Sequence, residues 1–323
     1  MTTARRRVVV EHAGGPEVLR VVTDAAPEPG PGQVRLRVLA AGLARADLLM
    51  RAGCYPGRAP RPPFVAGWDA TGVVDACGPG VEPSWAGRRA LALTLTGGHA
   101  SHVVVPESGL VAVPDGVDTA AAACLPLNYL TAYEMLHHAA RVRPGERVLV
   151  HGAAGAVGTA LLDVGRLLGA ETYGVARPAD RRLVQTFGAS HVDRSGWDRM
   201  RADVVLDPVG GAHVRRSFRA LRPGGRLVAY GFLADGASPL GGLARLRLWD
   251  ALPNGRRAAF YRLSVAARRN PRRLNTATAA LVAALAAGRL RPVVAACMPL
   301  DAAAEAHRLL AAGTLRGKVL LAP

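Results

Sequence analysis

The stretch Val148-Leu149-Val150-His151-Gly152-Ala153-Ala154-Gly155-Ala156-Val157-Gly158 restricts what this chain can fold into more than any other. Three apolar β-formers run straight into a glycine-rich turn. A helical pattern follows at once, with Val157, Ala160, Leu161, Val164 and Leu168 on one face. Strand, tight turn and helix in that order are the setting in which glycines mean dinucleotide binding. The turn lets backbone N–H groups approach a diphosphate, and the helix start offers unpaired donors and a positive dipole end. Ala153 stands at the first glycine position of the fingerprint, with Gly155 and Gly158 at the other two. An alanine fits there provided its φ stays negative. Gly152, Ala154, Gly155, Ala156 and Val157 are the candidate phosphate-facing residues; Gly158 allows close packing of helix on strand. A plain βα turn is the competing reading.

The rest of the chain falls into two textures. Residues 18–22 and 34–38 read as strands around the Pro/Gly-rich stretch 27–32, the second with strict alternation. Residues 46–51 suggest a short helix, and 72–74 and 100–105 further strands. Many short strands and turns imply a small barrel-like domain. From about residue 119 helix and alternating βα patterns take over: 119–139 helical, strands at 148–151, 172–176, 204–207 and 227–230. That alternation implies a parallel sheet with right-handed crossovers, hence an α/β fold. Helices at 276–287 and 301–312 and a strand at 319–321 close the chain.

A length of 323 residues accommodates two domains. No run of about 18 uninterrupted apolar residues occurs, so no membrane span is expected, and residues 1–12 lack a signal-peptide pattern. Cys54, Cys77, Cys124 and Cys297 lie far apart, which suggests a reducing compartment and neither a disulfide framework nor a structural zinc site. The net charge is +17, yet Lys318 is the only lysine and the arginines are scattered. One cluster stands out: Arg256, Arg257, Arg262, Arg268, Arg269, Arg272 and Arg273, around Phe260 and Tyr261. A solvated helical face is expected there, in preference to a nucleic-acid or membrane surface.

Several motifs together carry a resemblance that covers essentially the whole chain. They are Gly42 to Asp47 with Arg51-Ala52-Gly53-Cys54-Tyr55-Pro56, then Leu127-Asn128-Tyr129-Leu130-Thr131-Ala132-Tyr133, then the glycine fingerprint. Leu206-Asp207-Pro208-Val209-Gly210-Gly211, Tyr230-Gly231 and Leu315-Arg316-Gly317-Lys318-Val319-Leu320-Leu321 complete them. The chain resembles the zinc-independent medium-chain dehydrogenase/reductases of the quinone-oxidoreductase-like group, near its vesicle amine transport protein-like branch. The resemblance implies a GroES-like β-rich catalytic domain over residues 1–122, completed by 293–323. It implies a doubly wound, parallel-sheet Rossmann cofactor domain over 123–292. Zinc-bearing relatives need converging thiolate, imidazole and carboxylate ligands. Their cysteine falls at Ala44 and their His-Glu pair at Trp68-Asp69, so no metal is expected.

The cofactor expected is NADPH. An NAD site wants a carboxylate about 20 residues past the turn. Here the second strand runs into Val175-Ala176-Arg177, and a guanidinium pairs bidentately with a 2′-phosphate. Relatives commonly carry serine at the Arg177 position and lysine at the Asp180 position; Arg177 and Arg181 are the replacement cations, with Arg194 toward the adenosine end. The resemblance also places Asp207, Tyr230, Gly231 and Lys318 at the cofactor. It implies hydride transfer to a quinone or an α,β-unsaturated carbonyl compound, with Tyr55 as hydrogen-bond donor and Asn128 and Thr131 beside the nicotinamide and substrate. Tyr55 could instead pack on the barrel, and Asn128 and Thr131 could serve as helix caps. His99 and His102 read as surface or strand histidines. A homodimer and a cytoplasmic location are the further implications, without nucleic acid as a partner. The other class of function is a nucleotide-binding adaptor or lipid-associated protein with little catalysis.

Overall fold

The computed structural model describes residues 3–57, 59–231 and 239–323. Their contacts form two compact units, Met1–Leu130 with Ala267–Pro323, and Thr131–Ala266.

The first unit is built around the long strand Gln33–Leu43. It pairs antiparallel with Asp69–Cys77, with His102–Pro106 and with Lys318–Ala322 in a seven-stranded sheet. The chain end thus returns to the N-terminal half, as the resemblance implied. The strict alternation in 34–38 predicts one solvated face, yet Arg35 is 7% exposed. Its guanidinium is held there by Asp75 at 3.0 Å and Glu28 at 3.1 Å. Val34, Leu36 and Val38 join Val74, Ala90 and Val105 in the core on the other face. A three-stranded sheet forms from Ala4–Val10, Leu19–Ala25 and Phe64–Val65.

Helix Pro271–Ala286 belongs to this unit, not to the cofactor domain in which the boundary at 292 placed it. Its buried stripe of Leu274, Ala277 and Leu281 explains why: it packs on strand Leu110–Ala112 and on the turn Leu125–Tyr129. The helical stretch from 119 also stays with the first unit as far as Leu130, eight residues past the expected boundary at 122. Two of its turns, Leu125–Tyr129 and Met135–Ala139, are π-helical.

The second unit holds six parallel strands. Counted along the chain, their spatial order is third, second, first, fourth, fifth, sixth. This is the doubly wound arrangement, and its order reverses between Arg147–His151 and Ala202–Asp207, where such sheets open a ligand crevice. Val148, Leu149 and Val150 are all fully buried, as a parallel strand covered on both faces requires.

The basic cluster is not one helical face. Arg257–Phe260 is the edge strand of the six-stranded sheet, paired parallel with Leu221–Ala229. The alternation of Arg257, Ala258, Ala259 and Phe260 explains the error: Ala258 is buried, Arg257 meets Asp250, and Phe260 packs on the core. Separate helices, Leu263–Arg269 and Pro271–Ala286, carry Arg268, Arg269, Arg272 and Arg273, while Arg256 and Arg262 lie just before the strand and the first of these helices. Among the described residues no helix is long and apolar enough to cross a membrane.

Candidate active site

The glycine turn sits at the C-terminal end of Arg147–His151, at the switch point. Gly152 takes a left-handed φ of +65° and makes the tight reversal. Ala153 follows without positive φ, so its methyl costs nothing; it is fully buried and its N–H donates to the Val175 carbonyl at 3.2 Å. Gly155 is the N-cap of helix Ala156–Leu167, and no side chain caps that helix. The N–H groups of its first turn therefore lack acceptors. A Cβ on Gly158 would lie 2.1 Å from the Gly152 carbonyl oxygen, so only glycine lets the helix approach the turn this closely. Ala154 is buried, Ala156 and Val157 are half-buried, and Gly152 and Gly155 are open to solvent.

Beneath the turn lies a buried polar cluster that sequence reading did not find. Asp207 ends its strand with a side chain that is 0% exposed. Its Oδ1 accepts from the N–H groups of Val209 at 2.7 Å and Gly210 at 3.1 Å. Its Oδ2 accepts from Ser217 Oγ at 2.6 Å and His213 Nδ1 at 2.9 Å. Despite burial, these partners and nearby His151 hold the carboxyl below its ordinary range. Both oxygens accept from the protein's own donors, so in this arrangement the Asp207 side chain is turned to the cluster below the turn and not to a nicotinamide cofactor. His151 stands 3.3 Å from Ser217 Oγ, and burial drives its pKa down to about 3, so the ring is neutral. Tyr230 donates its N–H to the Asp207 carbonyl at 3.0 Å, and burial followed by the Asp207 charge raises its hydroxyl pKa. Gly231 passes so close to Pro208 that a Cβ would meet its carbonyl oxygen at 2.5 Å.

At the end of Glu171–Val175 the Arg177 side chain is 38% exposed, with its Nε 3.4 Å from buried Asp180. The Arg177 carbonyl accepts from Asp180 N–H at 2.9 Å and from His191 Nε2 at 3.2 Å, which anchors the backbone that carries the guanidinium. Arg181 and Arg194 are exposed.

In the first unit the Tyr55 ring leans on Trp68, with centroids 5.8 Å apart at 56°. Trp68 is 3% exposed and its buried indole N–H finds no partner among the described residues. Asn128 lies on the π-helical turn Leu125–Tyr129, 4% exposed, its Oδ1 likewise without a partner among the described residues. Thr131 follows at the start of the second unit, 8% exposed. Lys318 is not placed for a cofactor. It is 1% exposed, with its ammonium 2.8 Å from Asp69 Oδ2, while Asp69 Oδ1 takes the Gly42 N–H at 2.6 Å. An ammonium buried and spent on a carboxylate cannot also meet a phosphate, so Lys318 belongs to the barrel core. His99 is not a surface residue either: it is 0% exposed and its Nε2 donates to the Gly42 carbonyl at 3.1 Å. His102 is 7% exposed in its strand.

Family models for an alcohol dehydrogenase GroES-like domain and for a zinc-binding dehydrogenase match residues 30–115 and 173–321. The mouse synaptic vesicle membrane protein VAT-1 homolog is 32% identical, over 98% of this chain and 84% of its own. A 2-haloacrylate reductase of Burkholderia is 31% identical over 98% of both. The chain belongs to the quinone-oxidoreductase-like medium-chain dehydrogenase/reductases. Two solved members superpose over nearly their whole lengths. A Pseudomonas syringae quinone oxidoreductase gives a TM-score of 0.85 at 30% identity, covering 99% of this chain and all of that one. A mycobacterial protein complexed with NADPH gives 0.87 at 29% identity, with the same coverages.

Seen in this family, the metal positions are informative. Ala44 and Trp68 carry no ligand atom for a metal, and Asp69, the carboxylate beside them, is taken up by Lys318. Asp47, three residues after Ala44, is fully buried and accepts from the Ala44 and Gly67 N–H groups, so it too is occupied. Cys124 is buried and its thiol is pushed up to about 12, which makes it a packing residue instead of a nucleophile or ligand. Among the described residues all four cysteines are free.

Proposed function

We propose that this chain is an NADPH-dependent, zinc-independent reductase that transfers hydride to a quinone or to a carbon–carbon bond conjugated with a carbonyl. The observation that carries this is the uncapped first turn at Gly155, set at the switch point of a doubly wound sheet in a family of oxidoreductases. The Burkholderia relative's description as a 2-haloacrylate reductase supports an acceptor of the second kind. An enoyl group of a biosynthetic intermediate has the same chemistry. The NADPH-bound mycobacterial relative supports the choice of cofactor.

The residues present fit the cofactor. Gly152 and Gly155 are exposed where a diphosphate would approach, the first-turn N–H groups are free of side-chain caps, and Gly158 keeps the helix close. Arg177 is the 2′-phosphate partner, supported by Arg181 and Arg194. Bound NADPH supplies the hydride. The protein orients it and must supply a donor for the negative charge that grows on the acceptor's oxygen. Tyr55 is that donor; Trp68 packs beside its ring, and Asn128 and Thr131 border the same reaction. The chain acts in the cytoplasm as a homodimer in this reading.

Two measurements test it. Fluorescence titration should show tighter binding of NADPH than NADH, and a screen of quinones and enones should find cofactor oxidation. Arg177→Ala should erode the NADPH preference about ten- to hundredfold, because a charge-assisted hydrogen bond contributes roughly 1.5–3 kcal/mol. An unchanged ratio removes Arg177 from the phosphate site. Tyr55→Phe should lower kcat about 100-fold, the effect of one lost oxyanion donor, with the NADPH dissociation constant unaltered. Unchanged turnover removes the hydroxyl from the mechanism. The similarity to a protein described as a vesicle membrane protein favours one other reading, a lipid-associated adaptor. Co-sedimentation with liposomes together with no cofactor oxidation would support it.

A further inference from the structure

We propose that His151, Asp207 and His213 form a binding site for one divalent transition-metal ion, zinc or a cation of similar ligand preference, inside the second unit. The site is independent of the reductase reading and of Ala44, Trp68 and Asp69, which belong to the first unit.

Three elements bring the ligands together. His151 ends one central strand, Asp207 ends its neighbour, and His213 opens the helix that follows. One ring nitrogen of each histidine and one carboxylate oxygen lie within 4.8 Å of one another. Zinc takes nitrogen and oxygen ligands at about 2.0–2.2 Å, which sets neighbouring ligand atoms of a tetrahedral ion roughly 3.3–3.5 Å apart. His213 Nδ1 and Asp207 Oδ2 are 2.9 Å apart, and His151 Nε2 stands 3.3 Å from Ser217 Oγ. Loading would exchange the shared protons for an ion, the His213–Asp207 pair opening by a few tenths of an ångström and the more widely spaced ligand atoms drawing together. Two imidazoles and a carboxylate then fill three positions, and Ser217 or a water takes the fourth.

The carboxylate favours a cation; the one guanidinium stacked on Trp197 among the described residues, that of Arg216, is paired with Asp198 at 3.1 Å. Among the described residues, the ion-pair partner of buried Asp207 is His213, with no arginine or lysine on it. A carboxylate taken wholly out of water without a permanent positive partner gains from a divalent ion. Its other oxygen is already fixed by the Val209 and Gly210 N–H groups, the outer support that metal-bound carboxylates have. Trp197, 1% exposed, walls the site against both rings, with centroids 4.3 Å from His151 and 4.8 Å from His213. The His213 side chain is 22% exposed and provides the way in.

The test is a cobalt titration of the EDTA-treated full-length protein. One equivalent of Co²⁺ should bind, with visible d–d absorption and quenching of tryptophan fluorescence from Trp197. His213→Ala and Asp207→Asn should each weaken binding at least tenfold, while a His137→Gln/His138→Gln double variant should bind as wild type does. The latter is another close pair of histidines, with rings 6.4 Å apart, away from the proposed ligands. Absence of stoichiometric binding, retention of it in His213→Ala, or loss of it in the double variant would overturn the proposal. Should the site variants fail to fold, anomalous diffraction at the cobalt edge from wild-type crystals decides: an ion among these three residues supports the site, and an ion elsewhere sinks it.

Discussion

Replacing Lys318 with alanine is expected to destabilise the first unit by about 3–5 kcal/mol in urea unfolding, the usual consequence of stranding one member of a buried ion pair. Lys318 and Asp69 are each 1% exposed at the side chain and meet at 2.8 Å. Neither can turn to water when its partner is lost. Asp69 also holds the Gly42 N–H, so its carboxylate cannot simply withdraw. The pair itself need not be worth that much, because desolvating both charges cancels most of their attraction. A Lys318→Met/Asp69→Asn double variant keeps an acceptor for Gly42 and removes both charges. It should recover most of the loss. If Lys318→Ala costs less than about 1 kcal/mol, the ammonium is not confined as described.

The second large effect is acid sensitivity set by His307. This ring is 0% exposed. Burial first, then the charges of His99 and Arg51, lower its pKa from 6.5 to about 2. Arg51 Nη1, which can only donate, stands 2.9 Å from Nδ1 and so fixes the proton on Nε2. Nε2 has no partner. Between about pH 6.5 and 2 the unfolded chain binds a proton here that the folded chain refuses. Stability from this group is therefore complete above pH 6.5 and falls as the pH drops, by about 1.4 kcal/mol per unit. Two units of acidification, to about pH 4.5, thus remove roughly 2.7 kcal/mol. Chemical denaturation at a series of pH values should show this slope, and His307→Gln should flatten it by one proton. An unaltered slope would mean that the ring does not stay neutral in the native state.

What the sequence made legible was local. The strand, turn and helix around Gly152 to Gly158 follow from neighbouring residues, because φ, N-caps and close packing are decided within a few positions. Four of the six parallel strands were legible through their apolar runs, the short Ser190–Val192 and the edge strand were not, and the chain's return to the barrel came from the resemblance. What escaped was set by distance along the chain. Lys318 and Asp69 are 249 residues apart, and only the fold brings a lysine expected at the cofactor into the core. Asp207 has the residue type expected near a ribose, yet Ser217 and His213, on the next helix, claim its oxygens. Arg35 sits in an alternating pattern that reads as half-solvated, and Asp75 and Glu28 reverse that. The 257–260 edge strand was hidden by its arginines, since charge count says nothing about β-pairing.

The burial of Lys318 has a practical corollary. It is the chain's one lysine, so the folded protein presents no side-chain amine at its surface. Acylating reagents should react with an α-amine alone until the barrel opens. Slow labelling of that single internal site would then time the opening of the β-rich unit, residue by residue reduced to one, with no engineered probe.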